Sequence, residues 1–256
     1  MIENILNDVV KHLRTAKRIL FITGAGISAD SGLPTYRGIG GLYNDQPTRD
    51  NIPIEVALSG NMLLSHPEIT WKYLLEIEQA CRHATFNQGH EIIYKIAQQK
   101  PDTWILTQNI DGFHHDAGSD NVIEIHGKIL NLYCLNGDYQ EVVKDFSHLR
   151  IPPQCPFCRG LVRPNVVLFG EMLPMKAVET LFLQLQRGFD LIFTIGTTSV
   201  FPYIAQPIVL AKQQGIPTVE INPGETMVSH LVDYKINNGA ADTLTQLWYR
   251  WQQLIN

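Results

Sequence analysis

The sequence predicts an α/β protein: a doubly wound, mostly parallel sheet with a smaller second lobe. Short apolar runs rich in strand formers alternate with helical segments, the pattern of parallel strands joined by crossover helices. Several of these runs end in glycine or polar clusters, and strand ends are where open α/β sheets bind ligands. Two stretches break the rhythm, and both are long enough to fold as inserts. A chain of 256 residues suits one large domain carrying such inserts. The expected division gives a sheet lobe of about 1–37, 87–128 and 164–256. The small lobe would come from a helical insert at 38–86 and a ribbon-like insert at 129–163.

Composition narrows the function. Apolar residues make up 45% of the chain, enough for a core, so disorder is not expected. The net charge of −5 argues against direct nucleic-acid binding, which wants a basic face. No apolar run approaches the ~18 residues that a membrane span needs. The first residues are amphipathic, with Ile2, Ile5, Leu6, Val9, Val10 and Leu13 apolar and acids where a secretion signal carries base. Four cysteines do not make a disulfide scaffold in a chain of this length. Cytoplasm is the expected location.

In chain order, Ile19 to Ile22 is an apolar run too short for a helix. Gly24, Gly26 and Ala29 follow as G-x-G-x-x-A. Two glycines after a strand let the backbone turn sharply and approach a pyrophosphate. A small third residue lets a following helix pack on the strand. The first amides of that helix, near Ser28, would face the phosphates. Gly32-Leu33-Pro34 should end it after barely two turns, and 38–50 reads as loop. A dehydrogenase fingerprint would continue into a second strand with an acidic end, which is missing here. Ordinary hydride transfer is therefore disfavoured.

Asn51 to Ala80 reads as mostly helical, with Pro67 in a first turn and Trp71 and Tyr73 as packing residues. Asn87 to His90 starts a helix through Gln99, on which His90 shares a face with Ile93 and Ala97 and reads as structural. Trp104 to Thr107 is a strand running into Gln108-Asn109-Ile110-Asp111, and Asp120 to Ile125 is another running into His126-Gly127. Asn109 or Asp111 alone would be turn chemistry. Together with Gln108 and His126 at strand ends they point to a site.

Further on, Asn165 to Phe169 reads as a strand ending in Gly170-Glu171, and Pro174 to Gln186 as a helix. Asp190 to Ile195 is a strand closing on Gly196-Thr197-Thr198, and Tyr203 to Gln214 a helix. Pro217 to Ile221 is a strand ending at Asn222, and Thr243 to Leu254 is the last helix. Between them, Cys155-Pro156-Phe157-Cys158-Arg159-Gly160 is a zinc-knuckle turn, two thiolates two residues apart followed by glycine. Cys134 offers a third thiolate, while Gly137 stands where a fourth belongs; Cys81 reads as buried packing. Zinc held by three thiolates with Asp138 or His148, and a site that has lost its metal, are both open readings.

Assembled in order, these motifs resemble the sirtuins, the Sir2 family of NAD-dependent protein deacylases. The resemblance is carried by Gly24-Ala25-Gly26-Ile27-Ser28, Gly32-Leu33-Pro34-Thr35-Tyr36-Arg37-Gly38, Thr107 to Asp111 and Glu124 to Gly127. It continues in the cysteine knuckle, Arg163 to Glu171, Gly196-Thr197-Thr198 and Ile221-Asn222, and so spans nearly the whole chain. It implies a Rossmann-like lobe with a zinc-ribbon-like insert. By that resemblance Gly24, Ala25, Gly26 and Ser28 would hold the NAD diphosphate, and Tyr36 and Arg37 would close over the nicotinamide ribose. Gln108 would contact that ribose, Asn109 and Asp111 would line the nicotinamide pocket, and His126 would be the general base. Gly196, Thr197, Thr198 and Asn222 would lie near the adenosine. Val167, Phe169 and Gly170 would border a groove where an acyl-lysine peptide adds as a strand.

The implied chemistry suits these residue types. Neutral nicotinamide leaves a ribose carbon, the acyl oxygen of a modified lysine attacks it, and a base near neutral pKa then activates a ribose hydroxyl. The sequence departs from the family pattern at Gly137, at Thr35 where many sirtuins carry Asp, and in the loop to Pro202, which is a residue short. It departs also at Leu74-Leu75-Glu76-Ile77, where desuccinylating members carry Tyr-x-x-Arg. The alternatives are an NAD hydrolase or ADP-ribosyltransferase on the same fold, and a silent NAD-sensing module.

Overall fold

The computed structural model describes residues 2–35 and 48–255. Tyr36 and Arg37 lie outside the described residues. The chain opens with helix α1 (Ile2–Thr15) and strand β1 (Arg18–Thr23). The helices α2 (Ile54–Ala57), α3 (Gly60–Ser65), α4 (Pro67–Cys81) and α5 (Gln88–Gln99) follow. Then come β2 (Asp102–Thr107), α6 (Phe113–Asp116), β3 (Val122–Glu124), β4 (Gly127–Cys134), β5 (Gln140–Val142) and β6 (Val162–Val166). The last elements are α7 (Met175–Gln186), β7 (Leu191–Ile195), α8 (Pro202–Gln214), β8 (Thr218–Ile221), β9 (Tyr234–Ile236) and α9 (Ala240–Ile255).

Local chemistry sets many of the helix starts. Ser59 caps α3 by accepting from the Met62 amide, and proline occupies the first turn of α4 and of α8. Asn87 and His90 form a reciprocal capping box on α5.

Six strands form the main sheet in the order β3-β2-β1-β7-β8-β9, every pair parallel. Alternation along β1 builds both faces. Ile19 and Phe21 pack with α1, α5 and α9, whereas Leu20 and Ile22 pack with α7 and α8. Helices thus cover both sides, the arrangement that the buried apolar strands require. The second sheet is antiparallel, β5-β4-β6, and packs against α2 to α4 around Trp71. The Trp71 indole N–H donates to the Val162 carbonyl at 3.1 Å, so its polar atom is satisfied in the core. Among the described residues no helix is long and apolar enough to cross a membrane.

Two expectations need correction. The described residues directly after β1, up to Thr35, form no α-helix; the glycine segment makes two 3₁₀ turns, Ala25–Ile27 and Ala29–Ser31. Asn87 stops the helix by donating from its Nδ2 to the Ile27 carbonyl and the Ser31 hydroxyl, and Gly32 then turns at φ +82°. The strand expected at Asn165 to Phe169 is β6, shifted to Val162–Val166 and placed in the second sheet. Phe169 leaves it because its backbone pairs instead with Leu58 and Gly60. Helix α6 and strand β9 carried too few residues to announce themselves.

Candidate active site

Parallel strands place their carboxyl ends on one edge, and the order reverses between β1 and β7. This is the crevice where an open sheet binds ligands. A cavity of about 920 Å³ opens there. It is lined by Gly24, Ala25, Gly26, Gln108, Gly196, Thr197, Thr198 and Asn222 from four strand ends. It also takes in Asn109 and His126, and reaches Val167, Phe169 and Gly170 on the small-lobe side.

The glycines bring two backbones together at its floor. Gly26 N–H donates to the Gly196 carbonyl at 2.8 Å, and a Cβ on Gly26 would stand 2.5 Å from Gly196 Cα. Gly196 itself sits at φ +60°. The close approach that the motif permits is therefore between strand ends. Side chains then bridge those ends: Gln108 Nε2 donates to Thr197 Oγ1 at 2.8 Å, and Asn222 Nδ2 donates to the Thr197 carbonyl at 3.1 Å.

His126 follows β3 and is fixed from both sides. Its Nδ1 lies 3.0 Å from the Gln108 carbonyl, which can only accept, so Nδ1 carries the proton. Nε2 is left with its lone pair, and the Tyr203 hydroxyl donates to it at 2.7 Å. Burial lowers the imidazole pKa below its usual value, opposed in part by the Gln108 carbonyl. The ring is neutral at neutral pH, which a base must be. The next residue, Gly127, stands at φ +77°, and a Cβ there would lie 1.9 Å from the Asn165 carbonyl oxygen. Only glycine lets the chain turn here from the main sheet into β4.

Ser28 and Asp111 line a smaller recess that shares Ala25, Asn109 and Ile110 with the large cavity. His90 accepts from the Asn87 amide at Nδ1, leaving its Nε2 proton directed at Ser28 Oγ, 3.5 Å away. Ser28 donates in turn to Asp111 at 2.7 Å, and Asn109 Nδ2 donates to Ser28 Oγ and to the Gly24 carbonyl. Burial raises the Asp111 pKa, while the Ser28 hydroxyl and the Phe113 amide lower it. Burial alone pushes His90 down to about 4, so it stays neutral. His90 is thus a packing and capping residue, as read from its face, with the added task of orienting Ser28.

Comparison with known proteins decides the family. The family model described as "Sir2 family" matches residues 24–202, which hold the glycine turn, His126 and the cysteines. The NAD-dependent protein deacylase 2 of Pseudomonas aeruginosa is 50% identical over 242 residues, covering 93% of this chain and 94% of the relative. The chain belongs to the Sir2 family. A solved Sir2 homolog–NAD complex superposes with a TM-score of 0.87 at 30% identity, over 98% of this chain and 95% of that one. A Sir2 variant solved with deacetylated p53 peptide and 3′-O-acetyl ADP-ribose gives 0.86 at 26% identity, over 96% and 98%.

In this Sir2 chain the cavity extends into an apolar arm formed by Ile54, Leu58, Leu74, Ile77 and Ile110. The small-lobe core that holds this arm also takes in Cys134 and Cys155. Cys134, Cys155 and Cys158 bring their Sγ atoms within 4.8 Å of one another. Backbone N–H groups of Asn136 and Gly160 each point at a sulfur, Cys134 and Cys158, at 3.4 Å. Such bonds suit thiolates, so three corners of a tetrahedral zinc site fit. Among the described residues neither Asp138 nor His148 joins the group. His148 lies instead beside Asp145, at 4.0 Å. A fourth corner would fall to water or an outside ligand, which weakens the grip.

Zinc should therefore bind through Cys134, Cys155 and Cys158 and be removed readily by a chelator. Because Trp71, Phe146 and Leu132 belong to a large apolar cluster in which Cys134 and Cys155 are only two members, the metal-free protein should keep its circular dichroism spectrum. Unfolding on metal removal would contradict this view of the lobe.

Proposed function

We propose that this Sir2-family chain removes acyl groups, acetyl first among them, from protein lysine side chains with NAD as co-substrate. Nicotinamide, O-acyl-ADP-ribose and free lysine are the products. The observation that carries the reading is a neutral His126, with its basic nitrogen fixed in direction, facing one cavity with the strand-end residues and the Val167 to Gly170 segment. A passive NAD sensor has no use for that base.

Gly24, Ala25, Gly26 and Ser28 take the diphosphate, and Gly196, Thr197, Thr198 and Asn222 the adenosine side. Gln108 positions the nicotinamide ribose, and Tyr36 and Arg37 belong to the closing segment. Asn109 and Asp111 hold the leaving nicotinamide, Asp111 by accepting from its carboxamide. His126 removes the ribose hydroxyl proton at Nε2, and its Nδ1–H bond to Gln108 supports the imidazolium that forms. Val167, Phe169 and Gly170 present the substrate backbone. We take the sheet lobe and the two inserts read from the sequence as the working division, and cytoplasmic acyl-lysine proteins as the partners. Acetyl removal from a lysine peptide, followed by mass with and without NAD, tests the activity; loss of acetyl without NAD would defeat it.

The cavity lining also predicts acyl choice. Among its described residues are the carboxylates Asp30, Glu55, Glu171 and Glu225 and no lysine or arginine. Leu74 and Ile77, at the Tyr-x-x-Arg positions, are buried and apolar. Burying a succinyl carboxylate there leaves it unpaired. Succinyl peptide should be turned over roughly tenfold to a hundredfold more slowly than acetyl peptide. Equal kcat/KM values would refute the apolar-arm assignment.

A further inference from the structure

One contact at the base has no place in the assigned roles. Nε2 of His126 is the atom that must receive the substrate proton, and it has a single lone pair. That lone pair is engaged: Tyr203 Oη lies 2.7 Å away, and the tautomer set by the Gln108 carbonyl makes the phenol the donor. The Tyr203 ring is held in this pose. It stacks on Phe201 with centroids 5.4 Å apart and planes at 10°, and meets His126 edge-on at 5.9 Å. Both aromatic rings line the large cavity with His126.

The segment that delivers Tyr203 is not at its most comfortable. It leaves β7 through Gly196, passes Ser199 at φ +53°, an unusual value for a residue with a Cβ, and enters α8 at Pro202. The Ser199 hydroxyl is buried and has no hydrogen-bond partner among the described residues. A segment with strained backbone and an unsatisfied hydroxyl loses little by rearranging.

We propose that Tyr203 is a positioning residue that caps the base in the ligand-free enzyme: its hydroxyl holds the lone pair of His126 Nε2, and the ribose hydroxyl of NAD must displace it. The cap keeps a buried imidazole nitrogen satisfied while the cavity lacks dinucleotide. It also sets a cost on binding, because one protein hydrogen bond breaks for each one the ribose makes. The proposal rests on the deacylase reading of this site and deepens it.

The test is Tyr203→Phe in the full chain, a change that deletes one oxygen and keeps the ring stack. Calorimetric titration with NAD in the absence of peptide gives Kd, and steady-state deacylation gives KM for NAD and kcat. With one net hydrogen bond no longer to be broken, Kd and KM for NAD should fall by roughly threefold to tenfold, with no drop in kcat. In nitrogen NMR of the imidazole, the Nε2 resonance of free wild type should differ from that of free Y203F. The two should converge when NAD is added. A tenfold loss of kcat in Y203F would make the phenol part of proton transfer and overturn the cap. Unchanged Kd would overturn it as well, leaving Tyr203 a packing residue. Wild type that binds NAD but never deacylates would defeat the enzymatic reading alone, because the titration needs no acyl peptide.

Discussion

His126→Ala should lower deacylation by about two to four orders of magnitude while nicotinamide exchange persists at a measurable rate. Under the proposed roles the two activities separate, because the base would act after nicotinamide has left. Exchange would need only the strand-end residues proposed to hold NAD and the acyl oxygen that attacks. The pH profile carries the same signature. His126 must be neutral to accept a proton, so activity is present above its folded-state pKa and is lost as pH falls through it. Burial sets that pKa below the usual histidine value of about 6.5, so the acid limb of kcat/KM should lie on the acid side of it. An acid limb above neutral pH, or normal deacylation by H126A, would remove His126 from the role.

Arg163→Ala should be the most damaging single change away from the base. Arg163 is 4% exposed, and its guanidinium grips both carboxylate oxygens of Glu171, at 2.5 and 2.9 Å. It also donates to the Val166 carbonyl at 2.7 Å and lies over the Tyr133 ring. Glu171 accepts in turn from the Leu168 amide. One ion pair therefore fixes the run from β6 through Val167, Phe169 and Gly170, the segment assigned to the substrate backbone. Removing the arginine leaves a carboxylate without its partner and the Pro164 and Val166 carbonyls, which accept from the guanidinium, less well satisfied. Breaking a buried pair costs about 3–5 kcal/mol, and the 27% exposure of the Glu171 side chain argues for the lower end. The melting temperature should fall by roughly 6–12 °C, and KM for the peptide should rise more than KM for NAD. Arg163→Lys should recover little, since an ammonium cannot make the two-pronged contact. A variant that melts as wild type does would show that the pair is dispensable.

The fold was legible wherever burial on both faces forced an uninterrupted apolar run, as in β1, β2, β7 and β8. It was hidden where tertiary contacts decide. Sequence alone cannot say that the Asn87 side chain will cap the Ile27 carbonyl and hold the segment to two 3₁₀ turns. Nor can it say that Phe169 will pair with Leu58 and so pull the end of β6 away from the main sheet. Elements as short as α6 and β9 lack the residues to set a period.

The site followed the same division. Gln108, Asn109, Asp111 and His126 stood out because polar residues collected where strands end. Tyr203 did not, because a tyrosine behind a proline at a helix start reads as packing. The only available sign was its place just past the Gly196 strand end, in a segment of unusual length. The three cysteines were legible by spacing, but the position of His148 beside Asp145 was not. The glycines were read as serving a pyrophosphate, and what the structure shows is that Gly26 and Gly196 bring two strand ends into contact.

The central claim is that an acyl-lysine substrate and NAD react together in one cavity. It is tested most directly by measuring nicotinamide release from NAD with and without an acetyl-lysine peptide, with the products weighed. Release that requires the peptide, in step with O-acetyl-ADP-ribose, is the predicted result. Equal release without peptide, yielding plain ADP-ribose, would contradict it and make the protein an NAD hydrolase.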